Sequence, residues 1–199
     1  MTTIYLLRHG HYESPAPVAP YRLPGFHLSP EGIRQVEVLS RQLAGEQIAA
    51  MVTSPMERTR ETADILARAH HLAPVVDERL NEVRSPFQGK TPDEIQALGG
   101  WNWQIYDTQW YQKQGGETIE EIRARVVSVV EEKRLEHSGK AICLVSHGDP
   151  IMVAAAYYRG TTLDTAHLMA IVPYVPMAGG FRLVFEADIV RGVYPIVAT

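Results

Sequence analysis

Two short apolar runs in this chain each end in a histidine followed by a glycine, as Leu6-Leu7-Arg8-His9-Gly10 and Leu144-Val145-Ser146-His147-Gly148. An apolar run of this length, broken by glycine, reads as a buried strand. If the two strands are parallel, both imidazoles emerge at one carboxyl-terminal edge, where open α/β sheets bind ligands. Arg8 precedes the first histidine. Arg58 stands four residues after Ser54, in the first turn of a helix that itself follows a strand. Guanidinium forks and the free N–H groups of a helix start both attract anions. Together these residues describe a pocket for a small anion.

Each of them also has a plain explanation when taken singly. Arg58 and Glu82 could be solvated charges, and His147 could cap a strand or fill a core position. The repetition of the strand-histidine-glycine pattern gives the pocket its weight.

The elements that must position these groups follow from capping and periodicity. Ser29-Pro30-Glu31 starts a helix with Ser29 as N-cap and Ile33, Val36, Leu39 and Leu43 as its buried stripe. Residues 48–53 read as a second strand, and Ser54-Pro55-Met56-Glu57 as a capping box for a helix through about Ala69. A brief strand is expected at 74–76, then a connection across the strand ends through Glu82. Thr91 and Thr118 open two further helices with capping-box syntax, the second carrying Ile119, Ile122, Val126 and Val129 on one face. Residues 141–146 form the second strongly apolar strand, and Asp149-Pro150 is read as capping the helix after His147. Residues 166–172, 181–185 and 193–197 look like closing strands, the last ones antiparallel. The proline-rich stretch 11–25 should arch away as an irregular loop.

Strands alternating with capped helices predict an α/β fold, a three-layer domain with a mostly parallel central sheet flanked by helices. The length of 199 residues suits one domain, 1–199. Trp101, Trp103, Tyr106, Trp110 and Tyr111 crowd the segment 85–116, which is the candidate for a short lid insertion. The same aromatics could equally form a satellite core.

Composition narrows the partners. A net charge of −4 without a clustered basic footprint argues against nucleic acid. Cys143 is the only cysteine and lies in an apolar run, so it packs as a small hydrophobe and no intrachain disulfide is expected. There is neither a charged leader nor an apolar stretch long enough to span a bilayer, which predicts a cytoplasmic protein without a membrane partner.

In its motifs the chain resembles the histidine phosphatase superfamily, the branch that also holds cofactor-dependent phosphoglycerate mutases. Arg8-His9-Gly10 fits the opening motif, Leu28-Ser29-Pro30-Glu31-Gly32 with Gln35 the first helix, and Ser54-Pro55 through Arg58, Thr62 and Ala63 the second. Leu80-Asn81-Glu82 with Gly89, Gly116-Glu117-Thr118, and Val145-Ser146-His147-Gly148 follow in the family's order, to about residue 155. The resemblance implies that His9 is the nucleophile, forming a phosphohistidine that water hydrolyses. It implies Arg8, Arg58 and His147 as ligands of the transferring phosphoryl group and Glu82 as proton donor to the leaving oxygen, with no metal and no cofactor. The expected activity is that of a histidine acid-type phosphatase, a phosphoric monoester hydrolase acting on a small phosphorylated substrate or a phosphoprotein.

The pattern departs from the family after Gly10. Many members carry Glu or Gln and then Thr or Ser there, with a phosphate-touching Asn later; this chain has His11, Tyr12 and Glu13, and Pro15 in the place of that Asn. Ser14 or Tyr12 is the substitute contact to look for. Phosphoglycerate mutase-type transfer is the alternative within the same chemistry, and the short stretch between Glu82 and the long helix favours hydrolysis. A metal-dependent hydrolase using His9, His11, His147 and Asp149, or a phosphate-binding module without turnover, stand as alternatives of other classes.

Overall fold

A computed structural model of the protein describes residues 1–161 and 174–198. The elements run, in chain order, β1 (Thr2–Arg8), α1 (Pro30–Leu43), β2 (Ile48–Thr53), α2 (Glu57–Arg68), β3 (Val75–Val76), α3 (Pro92–Ala97), α4 (Gln109–Lys113), α5 (Ile119–Glu136), β4 (Ala141–Ser146), α6 (Gly148–Tyr158), β5 (Gly180–Glu186) and β6 (Ile189–Ile196). Short 3-10 turns occupy Glu78–Leu80 and Trp103–Asp107.

The layering follows from β1. Ile4 and Leu6 face one way and Tyr5 and Leu7 the other, and all four are buried. Successive strand residues point to opposite faces, so a strand apolar at both parities must be covered on both. Ile4 and Leu6 pack with Ile122, Val126 and Val129 of α5 and with residues 151–156 of α6. Tyr5 and Leu7 pack with Val36 and Leu39 of α1 and Ala63 and Leu66 of α2. Each fully buried Leu or Val here contributes roughly 1.5–3 kcal/mol.

The sheet order is β3-β2-β4-β1-β5-β6. β1, β4, β2 and β3 pair in parallel, while β5 pairs antiparallel with β1 and β6 antiparallel with β5. The three-layer α/β arrangement with a mostly parallel sheet is therefore as expected, antiparallel closing strands included. In the β1–β4 ladder Arg8 is the register partner of Ser146. That single pairing brings His9 and His147 off the sheet side by side.

Some local expectations need correction. Ile33 is 41% exposed, and the buried stripe of α1 is Gly32, Val36, Leu39 and Leu43. Steps of four, three and four residues keep to one helix face, and Ile33 lies about 100° round from it. A side chain at 32 is impossible because its Cβ would lie 1.8 Å from the His11 carbonyl oxygen. Ser54 does not cap α2: Met56 is the N-cap and supplies no side-chain bond. Nor does Asp149 cap α6, whose N-cap is His147; Asp149 lies inside the first turn. Both side chains have partners in the site instead. Ser29, Thr91 and Thr118 do cap their helices, the last two with complete capping boxes, each such cap contributing ~1 kcal/mol. The strand expected at 166–172 lies outside the described residues.

Between β3 and α5, Phe87, Ile95, Ile105, Tyr106 and Tyr111 are buried in the same core as α5 and α6. Trp101 is 59% exposed.

Candidate active site

β1 ends at Arg8 and β4 at Ser146, so the next residue of each strand, His9 and His147, enters the space beyond the sheet's carboxyl edge. Both are buried, with ring centroids 5.2 Å apart. Arg58, delivered from the first turn of α2 and only 1% exposed, spans the two. Its Nε donates to His9 Nε2 at 3.3 Å and its Nη2 to His147 Nδ1 at 3.2 Å and to the Tyr21 carbonyl at 2.7 Å.

Hydrogen bonding fixes the tautomers. His9 Nδ1 lies 2.8 Å from the Gly10 carbonyl, which can only accept, so Nδ1 carries the proton and Nε2 presents its lone pair. His147 accepts from Arg58 at Nδ1, so its Nε2 carries the proton and donates to Ser54 Oγ at 2.8 Å. Burial, reinforced by the charge of Arg58, holds both imidazoles well below their ordinary value and hence neutral. Burying a cation as completely as Arg58 is expensive unless something charged faces it. Among the described residues Arg58 Nη1 and Arg8 Nε are buried and have no hydrogen-bond partner. Arg8 is anchored by Nη1 to the Val175 carbonyl at 2.8 Å. Two orphaned guanidinium N–H groups beside a neutral imidazole are what a bound oxyanion would satisfy.

Glu82 completes the constellation from the connection after the Glu78–Leu80 turn. Its Oε2 lies 3.6 Å from His147 Nδ1, and its Oε1 accepts from the Val83 N–H at 2.8 Å. Burial, then the charge of Asp149, push the carboxyl up to about 7, against the pull of Arg58. All five residues singled out from the sequence, Arg8, His9, Arg58, Glu82 and His147, thus meet at one edge.

The structure adds residues that sequence reasoning missed or misplaced. Ser54 fixes His147, although Ser54-Pro55-Met56-Glu57 spells a capping box, the commoner use of a serine before a helix. Tyr12, which stands where the family pattern breaks, lays its ring 5.5 Å from the His9 ring and 5.5 Å from the Arg58 guanidinium carbon. Ser14 Oγ bonds to the Ala16 carbonyl. Asp149 accepts 2.5 Å hydrogen bonds from the Tyr106 and Tyr174 hydroxyls. Gly148 has no room for a Cβ, which would meet the Tyr174 hydroxyl at 2.0 Å. A cavity of about 400 Å³ opens beside Glu82, between Tyr12, Tyr21, Trp101, Asp149 and Tyr174.

A metal set does not assemble from the expected ligands. His11 Nδ1 is paired with Ser29 Oγ at 2.7 Å, and Asp149 is held by its two tyrosines. Among the described residues no group of three or more His, Cys, Asp or Glu is placed to hold a metal ion.

The family profile of the histidine phosphatase superfamily (branch 1) matches residues 4–178. The chain belongs to this superfamily. It is similar to the uncharacterized protein Rv0525 of Mycobacterium tuberculosis, 32% identical over 170 residues covering 81% of each chain. A probable phosphoglycerate mutase, GpmB of Yersinia pestis, is 30% identical over 158 residues, 74% of this chain and 70% of that one. Among solved structures, the mycobacterial glucosyl-3-phosphoglycerate phosphatase Rv2419c in complex with VO3 superposes with a TM-score of 0.79 at 25% identity, covering 96% of this chain and 98% of that one. Superfamily membership agrees with the motif order read from the sequence. Among the described residues no helix is long and apolar enough to cross a membrane.

Proposed function

We propose that the protein is a phosphoric monoester hydrolase of the histidine acid type, working without a metal through a phosphohistidine on His9. The observation that carries the reading is Arg58, a buried guanidinium whose Nε and Nη2 are bonded to the two imidazoles and whose Nη1 has no partner among the described residues. In the proposed first step Nε2 attacks phosphorus, the bond to the ester oxygen breaks, and Glu82 gives that oxygen its proton. Arg8 and Arg58 donate to the equatorial oxygens, where charge builds up, and His147 orients the Arg58 fork by accepting from its Nη2. In the second step Glu82, now a carboxylate, takes a proton from the water that attacks the phosphohistidine, and phosphate and free His9 are regenerated. A carboxyl near 7 suits both duties, since it is available in either form at neutral pH.

The segment 85–116 belongs to the same proposal as a lid shaping the leaving-group side, supported by Trp101 on the cavity wall. So do a small phosphorylated substrate or phosphoprotein and a cytoplasmic location, which the lone buried Cys143 supports. Phosphoglycerate mutase-type transfer is a second reading, favoured by the similarity to GpmB. It requires the phosphohistidine to outlast water and pass to a second acceptor.

The test is turnover of p-nitrophenyl phosphate by wild type in excess chelator, with vanadate as inhibitor. Phosphate release that survives chelation, is blocked by vanadate and disappears in His9→Ala supports hydrolysis. Turnover abolished by chelator, or retained in His9→Ala, overturns it. Transfer of label to added phosphoglycerate in place of water would select the mutase reading.

A further inference from the structure

Charge is segregated across the site. Arg8 and Arg58 lie behind the wall of the site, stacked 5.3 Å from the Tyr174 ring and 5.5 Å from the Tyr12 ring, whereas the cavity surface beside Glu82 is acidic and aromatic. That cavity, about 400 Å³, adjoins a second of about 390 Å³, and the two share Tyr21, Trp101, Asp149 and Tyr174. Among the described residues that line them, Glu82 and Asp149 are the only charged ones, and there is no Lys, Arg or His. On the phosphatase reading the phosphoryl group sits against His9 and Arg58, and the cavity that opens beside Glu82, the proton donor to the leaving oxygen in that reading, receives whatever is esterified to it.

Among the described residues Asp149 has no salt-bridge partner and is held by hydroxyls instead. Tyr106 donates to Oδ2 and Tyr174 to Oδ1, each at 2.5 Å, which fixes the carboxylate on the cavity wall with lone pairs to spare. An ammonium group entering there would meet an oriented carboxylate and the faces of aromatic rings, both of which attract cations. A carboxylate entering there would meet a like charge, with no described cation among the lining residues and Arg8 and Arg58 screened behind the Tyr174 and Tyr12 rings.

Resting on the phosphatase reading, we propose that Asp149 and its aromatic surround select phosphomonoesters of amino alcohols, whose leaving group carries an ammonium, over esters whose leaving group carries a carboxylate. Glu82 does not serve this selection, because its proton is committed to the ester oxygen.

Three esters of matched size test the proposal: 2-aminoethyl phosphate, propyl phosphate and phosphoglycolate, ending in ammonium, methyl and carboxylate. Wild type should rank them in that order by kcat/KM, with roughly 10²-fold between the ends, as like-charge juxtaposition is worth several kcal/mol. Asp149→Asn should compress the spread to about tenfold or less. Because each ratio is taken within one enzyme, any change in the proton affinity of Glu82 cancels. Tyr174→Phe, at a side chain that is 41% exposed, frees one Asp149 oxygen and should widen the spread. A flat or reversed ranking in wild type overturns the proposal, as does a ranking that survives Asp149→Asn. If p-nitrophenyl phosphate is also untouched, the phosphatase reading itself has failed; if it is turned over while the ranking is flat, only the selectivity has.

Discussion

Ser54 Oγ accepts the Nε2 proton of His147 at 2.8 Å, and both side chains are fully buried. The bond holds the second imidazole in the tautomer whose Nδ1 faces Arg58 and Glu82. Ser54→Ala should leave that ring free to rotate and to exchange tautomers, lowering kcat about tenfold, the worth of one buried hydrogen bond. KM should change little. Kinetics on an alkyl phosphate ester check this, and an unchanged kcat would mean that His147 needs no such anchor.

Among the described residues Arg58 is the largest of the fully buried side chains, yet it has no carboxylate within salt-bridge distance and one nitrogen without a partner. Its burial makes sense only with an oxyanion in place. Arg58→Met, which keeps most of the volume, should lower kcat/KM by about 10²–10³, the usual loss for a donor to developing charge. Inorganic phosphate should raise the melting temperature of wild type and not of the variant, because only a ligand bound to the native state stabilises it. Equal phosphate-induced shifts in both proteins would place the anion elsewhere.

The first step requires neutral His9 and protonated Glu82. Burial, with Asp149 behind it, raises Glu82 to about 7, while burial and Arg58 hold His9 well below 6.5. Enzyme phosphorylation by an alkyl ester should therefore fall as the pH rises through about 7. Protonation of His9 should reduce it only well below pH 6.5. Glu82→Gln should remove the basic limb. If stopped-flow profiles keep that limb in the variant, it belongs to another group.

The importance of Glu82 should also depend on the leaving group. An alkyl ester expels a strongly basic alkoxide that needs a proton, and a nitrophenyl ester expels a stable phenolate that hardly does. Glu82→Gln should slow phosphorylation by alkyl esters about 10²–10⁴-fold and by p-nitrophenyl phosphate much less. Rapid-quench measurement isolates this step from the later attack of water. Equal losses for both esters would remove Glu82 from the role of acid.

What could be read from the sequence was whatever has a local spelling. The apolar runs before His9 and His147, the caps at Ser29, Thr91 and Thr118, and the strand-helix alternation each announce an element, and the register Arg8 to Ser146 then brings the histidines together. Arg58 is legible from its place in the first turn of the helix after Ser54, whereas Glu82 carries no local signature and follows only from the ordered resemblance to a family. Ser54 and Asp149 were misassigned because a serine before a helix and an aspartate before a proline usually serve as caps; here tertiary partners, His147 and the two tyrosines, took their side chains. Tyr12 was a gap in the pattern, and its role against His9 and Arg58 depends on the fold of a loop that has no periodicity to read.

The central claim is that the phosphoryl group passes through His9 Nε2, and trapping that adduct tests it most directly. Wild type mixed with a labelled phosphomonoester and quenched in alkali within the first turnover should hold acid-labile, base-stable label. Peptide mapping should place it on His9, as the Nε2 isomer, because Nδ1 is committed to the Gly10 carbonyl. Glu82→Gln, slowed in the attack of water, should accumulate more of it from p-nitrophenyl phosphate. Rapid turnover with no phosphorylated protein at any time, or label on a residue other than His9, would contradict the account.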